Sequence, residues 1–208
     1  ELATGIDWTT VINSMSNLCF WLAAFCAEEG PEKMAYDLGF ELKFKASGDL
    51  HSHTFLKGWW IRDAAAELCW YPLPSQVIKL GKTLRSPKLF STSNRNYAEG
   101  VAALAHAIAR SMAQVPAEYP LLGPFLSKML ELGKETKVSV SASEDGWFKP
   151  SVQSVSVYRS QAIEMMCERY QLTECDIVRA ENLIRGVTYL PAFLSDPVFT
   201  ALANKDYA

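Results

Sequence analysis

The chain has 208 residues, and its 49% apolar content is enough to bury the core of one or two globular domains. A formal net charge of −3 argues against a generic nucleic-acid coat, because uniform phosphate binding leaves a basic excess. Five cysteines, odd in number and without Cys-x-x-Cys spacing, indicate neither a disulfide scaffold nor a zinc ribbon and fit a reducing compartment.

The first element opens at Thr4-Gly5 and runs as a helix. On a 3.6-residue repeat Thr9, Asn13 and Asn17 share one face, while Val11, Met15, Leu18 and Leu22 line the opposite face. An ordinary amphipathic helix with an Asn pair making core hydrogen bonds would give the same pattern. The apolar run Leu18–Ala27 is too short to span a bilayer, which needs about 20 residues, and no signal peptide is visible.

Pro31–Leu38 reads as a short helix with Pro in its first turn and Gly39 as its stop. Phe40, Leu42 and Phe44 then alternate with Glu41, Lys43 and Lys45, the period-2 pattern of a strand with one buried and one charged face. After a Ser47-Gly48-Asp49 turn a second extended run reaches Thr54-Phe55-Leu56-Lys57-Gly58. His51, His53 and Asp49 share a strand face, but no fourth ligand follows at a spacing that closes a zinc site.

The order of these segments carries a resemblance. Thr-Gly-x-x-x-Thr-x-x-x-Asn-Ser-x-x-Asn resembles motif B of viral RNA-dependent RNA polymerases, with Thr4 where Ser is more usual. The helix-Gly-strand unit resembles motif D, and Phe55-Leu56-Lys57-Gly58 resembles motif E, whose usual form is Phe-Leu-Lys-Arg. The resemblance implies that Thr9 and Asn13 sense the ribose of an incoming NTP, with Thr4, Gly5 and Asn17 completing a substrate-binding segment. An amide carries both donor and acceptor, so it can hold a 2′-OH and penalise its loss. Motif D implies a catalytic Lys that protonates pyrophosphate, Lys45 or Lys43. Motif E implies that Lys57 touches the primer end.

Motif C, an Asp-Asp hairpin that usually lies between B and D, has no room here, since a hairpin needs on the order of ten or more residues. The closest resemblance is therefore to the permuted polymerases of permutotetraviruses and birnaviruses, in which motif C precedes motif A. A gap in the sequence is the competing explanation. The Asp ligands for Mg2+ or Mn2+ are accordingly expected on the N-terminal part of the same polymerase, and this chain is read as a fragment inactive by itself.

From Phe40 to Arg95 basic residues outnumber acidic ones, and Lys57, Arg62, Lys79, Lys82 and Arg85 are the candidates for RNA contact along an exiting duplex. Solvated surface charges are the alternative. Ile61–Trp70 is expected to be helical up to the prolines at 72 and 74. Further helices are expected over Asn96–Val115, Pro120–Leu132, Tyr158–Tyr170, Thr173–Arg185 with Gly186 as stop, and from Asp196-Pro197 toward Tyr207. A β-hairpin or extended loop is expected over Lys137–Val157, where Trp147 or Phe148 could stack on a base or simply pack the loop.

The expected fold is thus α+β: the C-terminal part of a polymerase palm at 1–60 and a mainly helical thumb at 61–208. The expected function is template-directed RNA synthesis in viral replication. RNA template, primer and NTPs are the partners, with no membrane segment, in host-cell cytoplasm or virion. A non-catalytic RNA-binding or protein-interaction module is the alternative.

Overall fold

The computed structural model describes residues 19, 33, 36, 37, 39, 53–55, 57–62, 67–80, 82, 86–91, 96–133 and 157–207. The chain falls into two compact units, Glu1–Ser47 and Gly48–Ala208. Within the first unit Gly39 takes φ +77° and its N–H donates to the Tyr36 carbonyl at 2.9 Å, the left-handed stop expected after a short helix.

The second unit is α+β. Its sheet has three antiparallel strands in sequence order: β1 (Thr54–Phe55), β2 (Gly58–Arg62) and β3 (Leu68–Pro72). Phe55 pairs with Gly58 across the first turn, and Gly58 and Arg62 pair with Pro72 and Leu68 across the second. This overturns the helix expected over Ile61–Trp70. The period is 2, with Trp59 and Ile61 buried while Trp60 and Arg62 turn outward, and a ladder of aromatic and branched residues favours a sheet. Lys57 occupies the β1–β2 turn at φ +59°.

The proline-opened 3₁₀ helices Pro74–Ile78 and Pro87–Phe90 lead into five α-helices among the described residues: α1 (Tyr97–Ser111), α2 (Leu122–Leu132), α3 (Arg159–Tyr170), α4 (Glu174–Arg185) and α5 (Pro197–Tyr207). All five lie within or close to segments expected to be helical. Their ends have local causes. The Asn96 side chain accepts from the Ala98 and Glu99 N–H groups at the start of α1. Thr173 and Asp176 form a reciprocal capping box at the start of α4. The hairpin expected over Lys137–Val157 lies outside the described residues except for Val157.

The core joins the sheet to the helices. Trp59 and Ile61 of β2 pack with Tyr71, Leu122, Met166, Ile177, Ile184 and Leu202, all buried. Tyr119, wholly buried, links the two layers: its hydroxyl accepts from Trp59 Nε1 at 2.7 Å and donates to the Pro72 carbonyl at 2.7 Å, and its ring stacks on Tyr71 with centroids 5.4 Å apart. Burial pushes this phenol well above its ordinary pKa, so the donor is retained at any ordinary pH.

Two residues later the backbone turns sharply. Leu121 has φ +60° and ψ −55°, and the Leu122 N–H reaches the Pro120 carbonyl at 2.7 Å, which makes Leu121 the centre of a strained γ-turn. Glu181 of α4 holds it there. Its buried carboxylate accepts from the Leu121 N–H at 3.1 Å and is neutralised by Arg159 at 2.7 Å and Arg185 at 2.9 Å. Gly123 is required beside this turn, because a Cβ there would stand 2.4 Å from the Ala117 carbonyl oxygen.

Tyr119→Phe keeps the ring and removes both hydrogen bonds, stranding the buried Trp59 N–H. A loss of about 1–3 kcal/mol of unfolding free energy is expected, the cost of one unsatisfied buried donor. Urea denaturation with an unchanged m-value checks it.

Candidate functional site

Of the site residues expected from sequence, Thr4, Gly5, Thr9, Asn13, Asn17, Lys43, Lys45 and Arg85 lie outside the described residues. Lys57, Arg62, Lys79 and Lys82 are described, all exposed, and they do not form one patch. Arg62 ends β2 at the far end from the Lys57 turn. Lys82 borders a different feature, an apolar cavity of about 500 Å³ lined by Ile78, Ile108, Phe125, Met129 and Phe199 among others.

Lys57 and Lys79 do come together. Lys57 is carried outward by the hairpin turn, whose carbonyl at position 57 accepts from the Leu73 N–H at 2.8 Å and so ties the turn to the start of the 3₁₀ helix Pro74–Ile78. Lys79 is the residue that ends that 3₁₀ helix. Both side chains meet the last turn of α5. Lys57 Nζ donates to the Asp206 carbonyl at 3.0 Å and lies 5.3 Å from the Tyr207 ring centroid, and Lys79 Nζ lies 3.8 Å from the same centroid. The Tyr207 hydroxyl donates to the Ser75 carbonyl at 3.2 Å, fixing the ring against the 3₁₀ helix.

Physically this is a helix C-terminus served by cations. The last carbonyls of a helix lack intrahelical donors and carry the negative end of its dipole, so an ammonium is favoured there. The aromatic face adds a cation–π attraction.

The glycine at position 58 has a steric cause. A Cβ at this position would fall 2.2 Å from Trp70 side-chain atoms, because the indole of β3 lies across the glycine of β2. The place that an Arg side chain would need at its root is taken by Trp70. An aromatic over a strand glycine covers the gap its missing side chain leaves.

The acids near the helical end are already engaged. The Asp206 carboxylate accepts from Arg169 and from the Tyr170 hydroxyl, the latter at 2.8 Å. Asp196 accepts from Arg179 at 2.9 Å and caps the Val198 N–H at 2.9 Å. Among the described residues no three His, Cys, Asp or Glu side chains converge to hold a metal ion. No described helix is long and apolar enough to cross a membrane.

Tyr207 was not singled out by sequence reasoning. Its number placed it only at a helix end, and nothing in the chain between 79 and 207 signals that the two positions meet. No protein-family model matches this chain, and no curated protein or solved structure does either.

Burial opposes ionisation of Asp206, but the Ser75 hydroxyl facing it, the hydrogen bonds from Arg169 and Tyr170 and the guanidinium charge prevail, so its carboxyl titrates below the ordinary value of 3.8. A carboxyl with a lower pKa in the folded chain stabilises the fold above the ordinary value. That contribution fades as pH falls through and below it. In thermal melts from about pH 6 to about pH 2, Asp206→Asn should be less stable than the parent near neutrality and lose less on acidification. Parallel curves for the two proteins would remove Asp206 from the acid response.

Proposed function

We propose that this chain is the later palm and the thumb of a template-directed viral RNA polymerase of the permuted kind. The reading starts from the motif B-like segment Thr4–Asn17, followed at short spacing by the motif D-like and motif E-like segments. Among the described residues, the observation that carries it is the β1–β2 hairpin. In the segment that resembles motif E, Phe55 and Gly58 pair antiparallel across a tight turn on which Lys57 is exposed.

In this reading two segments divide the work. The segment bearing Thr9 and Asn13 selects ribose, because an amide that hydrogen-bonds a hydroxyl in a water-poor site discriminates strongly against its absence. The hairpin steadies the primer end through Lys57, a point charge on a flexible stem suited to a phosphate that must move on after each addition. Lys45 or Lys43 remains the candidate proton donor to pyrophosphate. The carboxylates that would hold Mg2+ or Mn2+ belong in this reading to the N-terminal part of the polymerase, and the bound cation would supply the Lewis acid that polarises the reacting phosphate.

Both tests use a polymerase that includes this chain together with metal-binding Asp motifs. Asn13→Ala should reduce the preference for NTPs over dNTPs by about 1–3 kcal/mol, the scale of a lost buried hydrogen bond, read as the ratio of kcat/KM values. Unchanged discrimination would remove Asn13 from the sugar site. Lys57→Ala should raise the primer concentration needed for half-maximal extension while leaving NTP discrimination intact. Equal damage to both would point to a folding defect. Binding of RNA with no synthesis by any assembled form would favour a non-catalytic RNA-binding module instead.

A further inference from the structure

Two lysines at one aromatic ring repel each other unless something negative sits nearby. Among the described residues neither Lys57 nor Lys79 forms an ion pair: the neighbouring Asp206 carboxylate, with its side chain 1% exposed, is paired with Arg169 and Tyr170, and what the lysines meet is the partial negative charge of the α5 carbonyl end. The groups that hold these cations are neutral. Tyr207 offers its π face to both, at 5.3 Å for Lys57 and 3.8 Å for Lys79, and the Asp206 carbonyl takes one hydrogen bond from Lys57. An ammonium carries three donors, so Lys57 has donors to spare, and both side chains are exposed.

The common centroid also limits how far apart the two charges can be, so one strand of closely spaced phosphates could meet both. Neutral anchoring is the relevant feature. A carboxylate partner would have to be displaced before a phosphate could bind, whereas a ring or a carbonyl leaves the positive charge uncompensated and in place. The anchors themselves come from three separate segments of chain. The ring is fixed by its hydroxyl on Ser75, and the Lys57 turn is tied to Leu73, so the cluster is assembled only when the hairpin, the 3₁₀ helix and α5 have all packed.

Resting on the polymerase reading above, we infer that Lys57, Lys79 and Tyr207 form one preorganised contact for neighbouring phosphates of a single RNA strand. Tyr207 is the positioning residue that sets both lysines. The hairpin lysine alone would meet one phosphate, and the pair extends the grip along the strand.

The test titrates the 208-residue chain with a fluorescent single-stranded RNA, and separately with inorganic polyphosphate, over a series of salt concentrations. Lys79→Ala should weaken RNA binding by roughly threefold or more and flatten the dependence of log K on log salt by about 0.7, the counterion release of one single-strand phosphate. Tyr207→Leu keeps both charges and the apolar bulk. It should weaken binding about two- to fivefold with the slope unchanged, whereas Tyr207→Phe, which keeps the ring, should bind as the parent does. The slope counts charges and the affinity at fixed salt reads their placement, so a misfolded variant, which loses both, stands apart.

RNA binding indifferent to Lys79→Ala and Tyr207→Leu would overturn the inference and leave the polymerase reading standing. Tighter binding by Tyr207→Leu would overturn it too, by making the ring a competitor of phosphate. Polyphosphate binding that needs these residues, with no RNA binding, would retain a phosphate contact and sink the RNA reading. Failure to bind either probe would overturn the inference, and the polymerase reading would still be decided by the discrimination and extension tests above.

Discussion

Within the second unit a single buried hydroxyl sets the register of the sheet against the helical layer. Tyr119 sits beyond α1 in sequence, yet its oxygen is shared between the indole of β2 and a carbonyl at the end of β3. A donor and an acceptor that deep cannot turn to water instead, so each is satisfied only when the sheet and the helical layer are in register. The order of the hairpin, and with it the place of Lys57, follows from that closure. The strained turn at Leu121 lies two residues away, so the same short segment carries both the polar lock and the tightest bend.

Charge inside this unit is organised around three acids, and each is matched locally. Glu181 receives two arginines and a backbone N–H, Asp196 receives Arg179 and a helix N–H, and Asp206 receives Arg169 and a tyrosine hydroxyl. Such pairs add little net stability compared with apolar replacements, but losing one partner leaves a buried charge exposed to its full desolvation cost. Their effect is to fix how α3, α4 and α5 sit. Because the arginines are consumed in this way, the positive charge left on the α5 side of the sheet comes from lysines.

Much of the helical part was legible in the sequence because its signals are local. Asn96, the Thr173–Asp176 box, Gly186 and the Asp196-Pro197 pair each mark an end within a few residues, and the helices begin and stop close to them. The stretch after Gly58 was misread because five-residue strands offer too few repeats to separate period 2 from period 3.6, and Trp59, Trp60 and Ile61 look apolar on either count. The site was harder still. Lys57 and Lys79 could be picked out as cations, but their meeting depends on Tyr207, and a contact across most of the chain leaves no trace in spacing. Gly58, which read as a departure from a motif, becomes intelligible only with Trp70 lying over it.

The turn that bears Lys57 is built against the preference of its own side chain. At φ +59° an L-residue with a Cβ is disfavoured by about 1–2 kcal/mol, and glycine would fit that bend better. Local foldability and the presence of an ammonium at the hairpin apex therefore pull in opposite directions. A sequence optimised only for a firm hairpin would give up the cation, and this one accepts a strained bend to keep it.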